Sequence, residues 1–260
     1  MAKIIENYRV SKDFFLMRVA LGDIKSEDVR MGQFFMLRSG KNYPLLSRPI
    51  SVFDVDSDSV SFLYQVVGEG TKIFSELKAH DNIEIDRPHG NGFPSVSGRI
   101  ALVGGGVGVA PLYFTAKQLS ENSGFNGEND IEKDLSDRAN TFLETSIDIY
   151  LGFREEPALI ERYEDIANKV IVNLGGFITD DIDTREYDYI LSCGPTPMMK
   201  ALYNKCKEQN SKAKLYVSME NRMACGIGAC LVCTCETTKG NKRACKDGPV
   251  FLANEVFEIE

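Results

Sequence analysis

The chain has 260 residues, 43% hydrophobic and 26% charged, with a formal net charge of −8. That length leaves room for two compact domains of ~100–150 residues plus a small lobe, with ample apolar material for a core. The acidic balance and the absence of a Lys/Arg block exclude nucleic acid or an anionic membrane as the main partner, and no apolar run approaches the ~20 residues of a bilayer span.

The first residues, Met1 to Asn7, contain no signal-peptide core, so the expected compartment is the cytoplasm, where thiols stay reduced. Short runs rich in Val, Ile, Phe and Tyr follow at Lys3–Val10, Phe14–Leu21, Gln33–Leu37, Ile50–Phe53, Ser59–Val66 and Asn82–Ile85. Strands at this spacing predict a small antiparallel barrel over residues 1–97. His80 and His89 lack acidic or cysteine neighbours in a catalytic pattern and read as barrel-loop residues.

From Arg99 the rhythm alternates. Strands are expected at Arg99–Val103, Ile147–Leu151, Lys169–Asn173 and Tyr189–Ser192, with helices at Pro111–Leu119, Pro157–Ile166 and Thr196–Lys207. Such alternation predicts a parallel sheet, an α/β domain over 98–213. Within it, residues 120–146 are polar and acid-rich, read as a solvated insertion with a short helix near Ile131–Leu143. Met198, Met199, Leu202, Tyr203 and Cys206 fall at helical spacing and are assigned to core.

Residues 214–260 read as a separate lobe. Of seven cysteines, Cys225, Cys230, Cys233, Cys235 and Cys245 crowd into it. The run Cys225-x4-Cys230-x2-Cys233-x11-Cys245 matches the plant-type 2Fe–2S spacing. Gly226 and Gly228 let backbone wrap the sulfurs, and Lys239-Gly240-Asn241 marks a turn that returns Cys245. A structural zinc site using four of the five is the alternative, although only one C-x2-C pair is present. Cys235 reads as a small buried residue.

Four further motifs carry groups suited to cofactors. Arg48-Pro49-Ile50-Ser51 offers a guanidinium for a pyrophosphate and a hydroxyl for flavin or ribitol. Gly70 and Thr71 offer amides and a hydroxyl to phosphates at a turn. Gly104-Gly105-Gly106-Val107-Gly108, closed by Ala110-Pro111, lies between a strand and a helix, where a helix N-terminus favours negative charge. Cys193, Gly194 and Pro195 stand at the carboxyl edge of the expected sheet, where ligands bind in such folds.

Together with the cysteine loop, these motifs resemble the ferredoxin-reductase superfamily. More narrowly, Met219 to Cys230 and Lys246 to Phe251 are similar to the electron-transfer subunits of dihydroorotate dehydrogenase. The resemblance implies a flavin-binding β-barrel, a nicotinamide domain and a small 2Fe–2S lobe. It places FAD on Arg48–Ser51, Leu63, Tyr64, Gln65, Gly70 and Thr71. The cluster falls on Cys225, Cys230, Cys233 and Cys245, and the nicotinamide on the 104–111 loop and Cys193–Pro195. It further implies an FMN-containing dihydroorotate dehydrogenase catalytic subunit as partner, two of each in a heterotetramer serving pyrimidine biosynthesis. Electrons would pass from cluster to FAD singly and then to NAD⁺ as hydride, with no general acid or base required of this chain. Glu155 and Glu156 after the second strand would repel a 2′-phosphate, which favours NAD over NADP. The rival readings are a reductase module serving a ferredoxin, sulfide or oxygenase partner, and a non-catalytic iron–sulfur or zinc scaffold.

Overall fold

The computed structural model describes residues 1–40, 44–123 and 145–259. The chain starts with an antiparallel hairpin, β1 (Ala2–Arg9) and β2 (Phe14–Ala20). β3 (Phe34–Arg38), β4 (Arg48–Ser51), β5 (Asp54–Val55), β6 (Ser59–Gln65) and β7 (Asn82–Ile85) complete a seven-stranded sheet in the order β4-β3-β7-β1-β2-β6-β5. Every pairing in it is antiparallel. Because β4 and β5 are the two edges yet nearly consecutive in sequence, residues 48–55 carry the chain from one edge to the other. The sheet therefore curls on itself, and Leu16, Phe35, Phe62 and Ile83 fill its interior.

Two details depart from the sequence expectation. The strand expected at Ile50–Phe53 begins at Arg48, because Leu37 pairs with Arg48 across the sheet. The turn expected at Gly68–Thr71 is the start of a helix, α1 (Glu69–Glu76). The Thr71 hydroxyl accepts the Gly68 N–H at 3.2 Å, which organises the first turn, and the Asn7 amide donates to Phe74 and Leu77 carbonyls at 2.8 Å each, closing the last.

The second sheet holds β8 (Arg99–Gly105), β9 (Ser146–Phe153), β10 (Lys169–Leu174), β11 (Tyr189–Cys193) and β12 (Lys214–Ser218), all parallel, in the order β10-β9-β8-β11-β12. α2 (Ala110–Ser123), α3 (Ile160–Glu164) and α4 (Thr196–Glu208) connect the strands. α2 runs past the expected Leu119 into the polar stretch. The helix expected near Ile131–Leu143 lies outside the described residues. α3 is shorter than Pro157–Ile166, since Leu159 before it sits in the left-handed region at φ 56°.

The last segment is built in two parts. After a two-stranded hairpin, β13 (Thr234–Cys235) and β14 (Lys242–Arg243), the chain adds β15 (Val250–Leu252) antiparallel to β12 and ends in α5 (Ala253–Phe257). Residues 214–218 and 250–252 thus extend the six-stranded sheet, because Leu215, Val217 and Phe251 are apolar enough to join its core. Only the stretch between them stands apart.

Barrel and sheet share a continuous apolar core. Phe53 stacks on Tyr113 at 4.7 Å between ring centroids, and Lys117 pairs with Asp54 at 2.7 Å across the same junction. The cysteine segment is sewn to the barrel by Asn91. Its backbone N–H donates to the Gly248 carbonyl at 2.7 Å, and its side-chain amide donates to the Asp247 and Val250 carbonyls at 3.1 and 3.0 Å.

Candidate functional site

The strand order reverses at β8, which has β9 on one side and β11 on the other. In open α/β sheets the crevice at such a reversal, at the carboxyl ends of the strands, receives ligands. The two expected nicotinamide elements meet there. A Cβ on Gly108 would lie 2.4 Å from the Cys193 carbonyl oxygen and 2.5 Å from the Gly194 Cα, so the two loops touch backbone to backbone. One on Gly105 would strike Met198 Sδ at 2.6 Å. Pro111 is the second residue of α2, where its missing N–H leaves no bond unmade.

Cys193 is buried, and its thiol is pushed up by desolvation and by the Glu220 carboxylate, whose Oε1 lies 4.0 Å from the sulfur. Glu220 is solvent-exposed, and the partial desolvation of its carboxyl raises it from its ordinary value. The sequence reading missed Glu220. Its position, two residues past the end of β12 at the same sheet edge as Cys193, is the signal that could have found it. Glu155 and Glu156, read as repelling a 2′-phosphate, are engaged by the barrel: Lys12 Nζ donates to Glu155 at 2.8 Å and Lys12 N–H to Glu156 at 2.8 Å. Glu155 therefore carries less uncompensated charge than its sequence context suggested.

On the barrel, Arg48, Pro49, Ile50 and Ser51 are half-buried along β4. A Cβ on Gly70 would lie 2.5 Å from Arg48 Nε, so the guanidinium rests on the first turn of α1 beside Thr71. Arginine and helix start together offer N–H donors suited to a pyrophosphate, with Glu69 in the same turn. Leu63 and Tyr64 are in the core; the Tyr64 hydroxyl donates to Asn7 Oδ1 at 3.1 Å. They are not brought to the surface with Arg48, and a ligand reaches them only through backbone.

The cysteines gather as two pairs. Cys233 and Cys245 are buried with their sulfurs 3.2 Å apart, while the Cys230 N–H points at Cys225 Sγ from 3.4 Å. Backbone N–H groups of Cys230 and Ile227 hold the Cys225 thiol down at about 6, and burial beside Cys233 pushes that of Cys245 up to about 12. Gly226 and Gly228 adopt φ of 70° and 79°, which a side chain would oppose, and so turn the loop amides inward. Among the described residues no three Cys, His, Asp or Glu close tightly enough to hold a single ion. Two thiol pairs with amides aimed at sulfur suit a two-iron cluster, with two thiolates per iron. Cys235 is buried in a different core, among Leu215, Val217 and Phe251.

Comparison with known proteins agrees with this arrangement. Residues 220–257 match the family model for the iron–sulfur cluster binding domain of dihydroorotate dehydrogenase B. The dihydroorotate dehydrogenase B (NAD(+)) electron transfer subunit of Clostridium acetobutylicum is 40% identical over 98% of this chain and 96% of its own length. The chain belongs to the dihydroorotate dehydrogenase B electron-transfer subunit family. The member from Clostridium perfringens is 41% identical over 88% of this chain and 87% of its own. The structure of an NADH-dependent reduced ferredoxin-NADP oxidoreductase superposes with a TM-score of 0.82 and 28% identity, covering 98% of this chain and 89% of that one. A ferredoxin NADP⁺ reductase from Neisseria gonorrhoeae, 14% identical with a TM-score of 0.62, covers 84% of this chain and 98% of its own and shares the fold. The family's barrel-plus-sheet architecture is therefore that of the ferredoxin reductases.

Proposed function

We propose that the chain is the electron-transfer subunit of an NAD-dependent dihydroorotate dehydrogenase, taking electrons from an FMN-containing catalytic subunit in a heterotetramer of two each. A bound 2Fe–2S cluster would exchange single electrons and a bound FAD would convert them to the hydride that NAD⁺ accepts. Cys225, Cys230, Cys233 and Cys245 hold the cluster. Arg48, Pro49, Ile50, Ser51, Gln65, Gly70 and Thr71 bind the flavin, with Leu63 and Tyr64 supporting from beneath. Gly104, Gly105, Gly106, Gly108 and Pro111, with Cys193, Gly194 and Pro195, receive the nicotinamide. Residues 1–97 serve the flavin, 98–213 the nicotinamide, and 214–260 the cluster, the last division cutting through the shared sheet.

The observation that carries this reading is the stacking of the paired cysteines on the barrel strand next to β4, in a chain 40% identical to a dihydroorotate dehydrogenase B electron transfer subunit over 98% of its length. The resemblance to the ferredoxin-NADP oxidoreductase, 28% identical, supports a reductase serving another partner less well. Ile227 and Leu231 are 63% and 62% exposed beside the cysteines, an apolar surface that a partner would cover. Among the described residues no helix is long and apolar enough to cross a membrane, and a cytoplasmic location accords with the reduced thiols.

The test uses purified subunits, separate and mixed. The chain alone should reduce dyes with NADH and leave dihydroorotate untouched, and adding the FMN subunit should produce NAD⁺-dependent orotate formation. A charge introduced at Ile227 or Leu231 should weaken that coupling while dye reduction persists. Orotate made by this chain alone, or never made by the mixture, refutes the assignment.

A further inference from the structure

β3 has two different faces. Phe35 and Leu37 belong to the barrel core, whereas Phe34 and Met36 belong to a small separate core with Cys233, Ala244 and Cys245. The strand alternation that sends neighbours to opposite faces accounts for the split. Across the sheet, Phe34 is opposite Ser51 and Met36 is opposite Pro49. Directly opposed residues of an antiparallel pair project to one face, so these four share a surface, with the two strands about 4.8 Å apart. The strand of the proposed flavin motif and the buried cysteine pair therefore flank the same two side chains.

Those side chains are held differently. Phe34 is fixed: His89 stacks on it at 5.6 Å and exchanges backbone hydrogen bonds with it at 2.8 and 3.3 Å. Met36 reaches into the cysteine loop. At Gly226 an added Cβ would lie 2.7 Å from Met36 Cγ and 3.2 Å from its Sδ. The thioether thus occupies the space that a side chain next to Cys225 would take. A long, polarizable side chain of this kind fills an irregular gap well.

We infer that Met36 is the positioning residue between the cluster and the flavin, the side chain whose packed atoms bridge the gap that single electrons cross. The inference rests on the proposed placement of both cofactors. Tunnelling slows exponentially with distance and slows further across empty space, and a core truncated at Cβ retains part of its void. The electron count is simple. With both groups bound, NADH would supply a hydride's two electrons to the flavin, and each electron passed on would be taken up by one iron of the cluster. No other reactant enters.

The test is rapid mixing of the holo chain with NADH, following flavin and cluster bands separately in wild type, Met36→Leu, Met36→Val and Met36→Ala. Flavin reduction should be unchanged throughout. Cluster reduction should stay within about two-fold in the volume-conserving Leu variant and slow by about ten-fold or more in Ala, with Val between. Iron content, flavin content and the EPR spectrum of the reduced cluster report whether each variant is intact. If the Ala variant sheds its cluster, slower transfer in Val than in Leu supports the role. Wild-type rates in every variant that keeps both cofactors overturn it. A wild-type chain that binds no flavin or no cluster overturns the cofactor placement beneath it as well.

Discussion

The crevice at the sheet reversal and the cysteine loop are built on opposite principles. In the crevice the decisive contact is backbone against backbone, with Gly108 leaving no room for a single further carbon against Cys193 and Gly194. In the loop the chemistry lies in side chains, and the backbone's part is to aim amides at sulfur from residues that are otherwise exposed, such as Ile227. The crevice should fail when an atom is added at Gly108, and the loop when a cysteine sulfur is exchanged. Each failure should leave the other region working, because the two sites share no residue.

The largest expected effect is Cys245→Ser, which should abolish cluster iron and the reduced-state EPR signal while NADH-to-dye activity continues. Cys235→Ser should keep both, since Cys235 packs in another core; the reverse pattern would sink the pairing described above. Next is Gly108→Ala. Its Cβ meets backbone of Cys193 and Gly194, which cannot swing aside, so a loss of about 1–3 kcal/mol in stability and a fall in kcat/KM for NADH are expected. Iron content should not change, and a variant losing cluster and nicotinamide activity together would erase the contrast. The smallest concerns Glu220. A carboxyl raised in the folded state stabilises only while protonated, so its ionised form is a burden that grows as pH rises through the folded pKa. Glu220→Gln should therefore raise Tm slightly near pH 7 and lose that advantage as pH falls. An advantage that instead grows with acid would contradict the sign.

Much of this was legible where chemistry is local in sequence. The glycine loop with Pro111 and the Arg48–Ser51 motif each lie within a few residues, the cysteine spacing within about two dozen, and the strands at Asn82–Ile85 and Ser59–Gln65 announced themselves by β-branched and aromatic content. What stayed hidden depends on distant partners. β15 joins the sheet only because β12 lies beside it, and nothing within Val250–Leu252 says so. α1 was obscured because Gly68 and Gly70 look like a turn until Thr71 and Asn7 are seen closing its ends. The two faces of β3 were unreadable for another reason: Phe34 to Leu37 are all apolar, so alternation leaves no trace when both sides are covered. Lys12, which engages Glu155 and Glu156, is far from both in sequence.

The way the cysteine segment is attached bears on how the molecule is assembled. It leaves the sheet at the end of β12 and re-enters at β15, with the Met219 N–H bonded to the Pro249 carbonyl at 2.9 Å where the two ends meet. An excursion whose ends are already side by side adds little closure entropy that the metal must offset. Barrel, sheet and α5 can therefore reach their final arrangement first, leaving an open purse of thiols with its mouth on the surface at Cys230. A closed excursion of this kind permits a metal group to be taken up by a chain whose sheet is already formed.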